Sequence, residues 1–180
     1  NNSNVICFTT TGNSSSYNGG IVGYTKSGNI KAINTNNINV SGGMYVGGIT
    51  GYLEGRTISE VITKGTIEGD RYIGGITGGR NYESKISSVI VNANVTGNDY
   101  AAPISSIGSN IDGAIVEGGN ISGELNSNGN INNFYYIDGV TAKKYFYATK
   151  IDKTGLSSLN AYESAIDTYI GGDDDDSGYY

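Results

Sequence analysis

This sequence of 180 residues repeats itself, and that constrains its fold more than anything else in it. Aligned on a tyrosine that precedes a pair of small residues, units begin at Tyr17, Tyr45, Tyr72 and Tyr100, at spacings of 28, 27 and 28 residues. The second unit reads YVGGITGYLEGRTISEVITKGTIEGDR and the third YIGGITGGRNYESKISSVIVNANVTGND. Four apolar columns run through them. Ile21, Ile49, Ile76 and Ile104 form one; Ile30, Ile58 and Ile86, continued by Ala114 or Ile115, form a second. Ile33, Val61 and Val89 form a third. Val40, Ile67, Val95 and Ile121 form the fourth, each followed two residues later by Gly42, Gly69, Gly97 or Gly123. A fixed period of this length marks a stack in which each unit buries its apolar face only against its neighbours.

The residues between the columns decide what kind of stack. Helical repeats need long runs of helix formers at a 3.6-residue period. These units hold 29 Gly and 22 Asn across the chain, with Ser and Thr at many other positions, all unfavourable inside helices. The apolar residues come in bursts of three to five positions separated by Gly or Asn corners, and fifteen tyrosines and many β-branched residues favour strands. The expected fold is therefore all-β: a parallel β-helix (solenoid) of about five coils, rungs about 4.8 Å apart. Right-handed winding is expected from the general rule for parallel connections. Gly19-Gly20, Gly47-Gly48 and Gly74-Gly75 are the expected structural turns, with room for positive φ and for close approach of neighbouring coils. Tyr17, Tyr45, Tyr72 and Tyr100 should stack as a ladder.

The string VGGITGYLEGRTISEVITKGTIEG resembles the GLUG motif, a short repeat of bacterial extracellular proteins. Its pattern is Val-Gly-Gly-Leu/Ile-x-Gly, an Ile-led strand, then Gly-x-Ile/Val-x-Gly. The resemblance spans roughly residues 17–140 and is strongest over Tyr45–Gly79. In the fourth unit AAPISS replaces the glycine pair and Pro103 enters. The resemblance implies a cell-surface or secreted β-solenoid, and it supports the right-handed winding. Proteins carrying such repeats include surface adhesins and regions attached to immunoglobulin-cleaving metalloproteases. The protease itself is not implied, since the chain has no His and so no His-Glu-x-x-His motif.

Three regions follow: an N-terminal strand or cap at 1–16, GLUG-like repeats at 17–133, and a C-terminal cap with an acidic tail at 134–180. The start NNSNVICFTT has neither Met nor a basic leader and reads as a mature or excised fragment. Its apolar burst Val5-Ile6-Cys7-Phe8 can supply an initial strand, or a strand donated to a neighbour, because open solenoid ends expose unpaired edges. INNFYYIDGVTAKKYFYATK suits strands or a hairpin turning at Asp138-Gly139. Leu156, Leu159, Tyr162 or Glu163, Ile166 and Ile170 share one helical face, capped by Thr154 or Ser157 at the start and Gly171 at the end. A short helix over the C-terminal end is expected.

Chemistry is sparse. Without His the commonest general base and metal ligand is missing, and Cys7, the only cysteine, has neither a disulfide partner nor an activating base. Glu54, Glu60, Glu68, Asp70 and Glu83 are the candidates for paired-carboxylate catalysis, yet stacking sets Glu60 beside Ser88 and away from other acids. Asp173, Asp174, Asp175 and Asp176 could ligate calcium, but lack the spacing of known loops and read as a solvated acidic run. The column Val22, Thr50, Thr77 and Ser105, read as facing outward, is too irregular for an ice-binding array. Tyr24, Tyr52 and Tyr82 are the candidate ligand contacts, able to grip a sugar or a protein or simply to stabilise a ladder.

A formal net charge of −6 argues against nucleic acid or an anionic membrane surface as partner. The longest apolar run is too short to span a bilayer. The expectation is a non-enzymatic extracellular stalk, adhesin or filament subunit, with no cofactor, self-associating through its ends or binding a host protein or glycan. The alternative is a carbohydrate-binding or carbohydrate-active module on the same scaffold.

Overall fold

The computed structural model describes residues 16–107, 110–123, 130–137, 139–143 and 149–151. Among them every regular element is a strand: β1 (Asn18–Gly19), β2 (Val22–Thr25), β3 (Ile30–Asn34), β4 (Ile38–Gly47), β5 (Thr50–Leu53), β6 (Thr57–Gly74), β7 (Thr77–Arg80), β8 (Lys85–Ala102), β9 (Asn110–Gly118), β10 (Asn130–Ile137) and β11 (Thr149–Ile151). Every ladder between them is parallel. One sheet runs β1-β4-β6-β8-β9-β10-β11, with β3 also on β6, and a smaller one runs β2-β5-β7. Over the described residues the chain is a parallel β-solenoid of about four turns.

The repeat columns become rungs. Ile49 donates its backbone N–H to the carbonyl of Ile76, and Ile76 donates to Ile104, so the first column stacks directly. Val61 pairs with Val89 and Ile67 with Val95, which in turn bridges to Ile121. These side chains are buried and fuse into one aliphatic interior. A single coil has no inside, so burial and coil-to-coil hydrogen bonding form together.

Two corners of each coil depend on left-handed backbone. At one corner stand Tyr45, Tyr72 and Tyr100, with φ of 50°, 61° and 51°. At the other stand Ala32, Glu60, Ser88, Gly113 and Asn133, with φ of 57°, 56°, 53°, 74° and 50°. This corrects the expected role of the glycine pairs. Positive φ falls on the tyrosine, and the glycines provide clearance. A Cβ on Gly48 would lie 2.2 Å from the carbonyl oxygen of Gly75, and one on Gly75 would lie 2.0 Å from that of Pro103. Gly19, Gly47 and Gly74 are blocked within their own turns, by the carbonyls of Val22, Thr50 and Thr77. Left-handed backbone costs a non-glycine residue roughly 1–2 kcal/mol. It persists because every rung must follow the path of the one beneath it.

The coils also shorten. The step from Ile58 to Ile86 is 28 residues, Ile86 to Ile111 is 25, and Ile111 to Ile131 is 20. The second column is therefore continued by Ile111, and Ala114 instead pairs with Val89 while Ile115 pairs with Ile90. Three residues are lost between Ile104 and Ile111, on the arc after β7, which shifts every later position. Beyond Ile137 the chain does not reverse into a hairpin: β11 runs parallel to β10, with Tyr135 opposite Thr149. The helical segment expected near 156–170, all but Ser16 of the strand or cap expected at residues 1–16, and the acidic run at Asp173–Asp176 lie outside the described residues.

Candidate functional site

Positive φ at the corner directs Tyr45, Tyr72 and Tyr100 into one outward ladder with Tyr17. Ring centroids are 5.1 Å apart from Tyr17 to Tyr45, 4.9 Å from Tyr45 to Tyr72 and 5.2 Å from Tyr72 to Tyr100. Tyr24 and Tyr52 stack beside it at 5.8 Å with planes 7° apart, and Tyr52 meets Tyr45 edge-on at 89°. In the next coil Gly79 takes the place of Tyr52, and the vacated space is filled by the Tyr45 ring. The Arg71 guanidinium sits 4.8 Å from the Tyr72 ring centre and 5.3 Å from that of Tyr100, and its Nε donates to Asp99 at 3.1 Å. Burial, reinforced by neighbouring tyrosines, raises the pKa of the Tyr45 and Tyr52 hydroxyls.

The geometry separates the three tyrosines expected to contact ligand. Tyr24 and Tyr52 each turn one ring face toward the other, so those two faces are unavailable for stacking on a sugar. The Tyr24 hydroxyl donates to the Glu54 carboxylate, which also pairs with Lys26 at 3.7 Å. Tyr82 differs: it is 88% exposed. Its loop is held rigidly. The Ser84 hydroxyl lies 2.7 Å from Asn81 Oδ1 and 2.9 Å from the Leu53 carbonyl, two acceptors between which its single hydrogen is shared. The Gly55 N–H donates to Asn81 Oδ1 at 2.8 Å, and Asn110 Nδ2 donates to the Tyr82 carbonyl at 3.0 Å. The loop thus presents an open ring from a fixed support.

The candidate acids are dispersed. Glu60 pairs with Lys31 at 3.2 Å, and Asp70 accepts from Asn98 Nδ2 at 3.2 Å. Glu68 lies opposite Thr96, and Glu83 is exposed on the Tyr82 loop. Among the described residues no group of three or more His, Cys, Asp or Glu side chains is gathered for a metal. The threonine column faces inward, correcting the outward reading. Thr50, Thr77 and Ser105 are buried, and each hydroxyl donates to the backbone carbonyl two residues on, at 3.1, 2.8 and 2.7 Å. An ice-binding face at this column is thereby excluded.

Two residues escaped the sequence reading. Arg71 was unremarkable in the sequence, because its ring contacts arise only once the coils stack. Arg80 left a trace, since it falls 27 residues after Leu53 at an interior position. It is 2% exposed. Its Nη1 donates to the Ser84 carbonyl, while Nε and Nη2 find no protein acceptor. Burial lowers its pKa to about 10. Comparison with family models, with curated proteins and with solved structures returned no match.

Proposed function

We propose that the chain is a non-enzymatic bacterial extracellular structural or adhesive protein, acting as a surface stalk or adhesin module or as a subunit that stacks into filaments. The observation that carries this reading is the parallel stack of coils over the described residues, in which the candidate carboxylates are dispersed and the ladder tyrosines pack on one another. Such a surface bears load and presents side chains at fixed spacing. The extracellular placement rests on the resemblance of Tyr45–Gly79 to GLUG repeats. Electron microscopy of the purified protein, paired with a reducing-sugar assay on common polysaccharides, tests the proposal. Rods or fibres without sugar release support it; release that is lost in Glu54→Gln or Glu60→Gln overturns it.

A second reading, a carbohydrate-binding module, draws on Tyr82 alone. An exposed ring on a rigid loop suits stacking against a pyranose. Glycan-array binding that disappears in Tyr82→Ala would favour it.

A further inference from the structure

The stacked tyrosines do not share one electrostatic environment. Tyr72 and Tyr100 lie against the Arg71 guanidinium, and a cation beside a ring makes an electron harder to remove from it. Toward the N-terminal coil the sign reverses. The Tyr24 hydroxyl donates to the Glu54 carboxylate, whose other described partner, Lys26, is a largely solvated ammonium 3.7 Å away. A carboxylate on a phenol favours loss of an electron and receives the proton that leaves with it.

Tyr24 also has a second ring in place. It stands in β2 directly opposite Tyr52 in β5, with centroids 5.8 Å apart and planes 7° from parallel. Equivalent residues of successive coils carry their hydroxyl edges on the same side of the stack. Tyr17 touches both rings but is tilted 53° to Tyr24 and 59° to Tyr52. Tyr24 is 39% exposed, so an oxidant reaches it and its solvent side leaves room to tilt toward Tyr52. Few other side chains compete for oxidation, since the chain has no Trp, one Met and one Cys.

We propose that Tyr24 and Tyr52 are a site of oxidative cross-linking, at which peroxide acting through a haem peroxidase joins the two rings and ties one coil to the next. Each phenol gives up one electron and one proton, that of Tyr24 passing first to Glu54. The two phenoxyl radicals form one carbon–carbon bond between positions ortho to the hydroxyls. The hydrogens on those carbons return to the oxygens, restoring both aromatic rings. Hydrogen peroxide takes up the two electrons and two protons and leaves as two molecules of water. The tie spans 28 residues and restricts the unfolded chain as a disulfide of that loop length does. It goes beyond the structural or adhesive reading and rests on the stack alone.

The test treats the full chain, in a Cys7→Ser background that removes the one thiol able to quench a radical, with a haem peroxidase and limiting hydrogen peroxide. Products of coupling between molecules, for which Tyr82 at 88% exposed is well placed, are removed as dimers by size exclusion. The expected monomer is lighter by two hydrogens, shows dityrosine fluorescence, and yields a Tyr24–Tyr52 linked peptide as its main cross-link. Its urea midpoint should rise. Tyr24→Phe and Tyr52→Phe should each abolish that peptide. Glu54→Gln should slow its formation about tenfold or more at neutral pH and recover as pH rises and hydroxide takes the proton. A monomer without dityrosine overturns the proposal, as does a main cross-link between other tyrosines. Equal rates for Glu54→Gln and its parent at neutral pH, or an unchanged urea midpoint, overturn it as well.

Discussion

Replacing Arg80 with leucine should stabilise the protein. The guanidinium sits in the interior column directly above Leu53 and is 2% exposed, with one nitrogen bonded to the Ser84 carbonyl and two unsatisfied. Its pKa, lowered by burial to about 10, measures how strongly the folded state disfavours the charge. At 1.36 kcal/mol per pKa unit, the gap from the ordinary arginine value amounts to about 3 kcal/mol. Leucine removes that cost and continues the column, but forfeits the bond to Ser84, worth about 1 kcal/mol. The net gain is about 2 kcal/mol, or about 4–8 °C in melting temperature for a chain of this size. The sign with pH is also fixed. A base whose folded pKa is depressed weakens the fold at every pH below that value, and the penalty fades as pH rises from about 10 toward the unfolded value. The variant's advantage should therefore be full at pH 7 and narrower by about 1 kcal/mol at pH 11. Paired urea titrations at both pH values measure it. An Arg80→Leu protein less stable than its parent at pH 7 refutes the reasoning, since it would mean the buried charge has a compensating partner.

Further predictions concern the corners and the interior. Gly75→Ala should lose about 1–3 kcal/mol, because its methyl would strike the Pro103 carbonyl, whereas Gly28→Ala, in open space, should lose only about 1 kcal/mol from its φ of 78°. Tyr72→Gly should be less damaging than Tyr72→Ala by about 1 kcal/mol despite removing more atoms, because φ there is 61°; urea midpoints compare them. Ile76→Ala should cost about 2–5 kcal/mol, judged by the same titration, since its side chain is fully buried between Ile49 and Ile104. Tyr45 and Tyr52 keep their protons above the ordinary tyrosine value of 10.0 when folded, so stability should fall as pH rises past that value; the double variant Tyr45→Phe, Tyr52→Phe should flatten the fall in alkaline titrations.

The repeat was legible because the solenoid's contacts are between equivalent residues. Ile49 meets Ile76 because both sit at the same place in a unit, so periodicity alone carried the fold and the tyrosine ladder. What the sequence concealed depends on lengths and backbone angles. Ala114 was misplaced by three residues because the arc after Ile104 is shorter, and glycine-poor strings such as Ser-Asn-Ile-Asp do not announce where a loop has been trimmed. The left-handed corners were assigned to glycine on propensity, yet Tyr45 and Glu60 hold φ of 50° and 56° because stacking overrides local preference. The threonine column was read as facing outward. At this corner Ile76 and Thr77 are both buried in succession, which alternation does not foresee. Tyr82 was grouped with Tyr24 and Tyr52 as a candidate ligand contact, but only the structure separates its exposed ring, on a hydrogen-bonded loop, from the mutually stacked rings of Tyr24 and Tyr52.

The most direct test is the spacing between rungs. In a Cys7→Ser background, spin labels at Thr66 and Asn94, opposite each other in β6 and β8, should sit one rung apart, at a backbone spacing of about 4.8 Å. Continuous-wave electron paramagnetic resonance should show strong dipolar broadening that disappears in denaturant. A native spectrum equal to the sum of the two single-label spectra would mean these residues are not neighbours, and the parallel stack would be wrong.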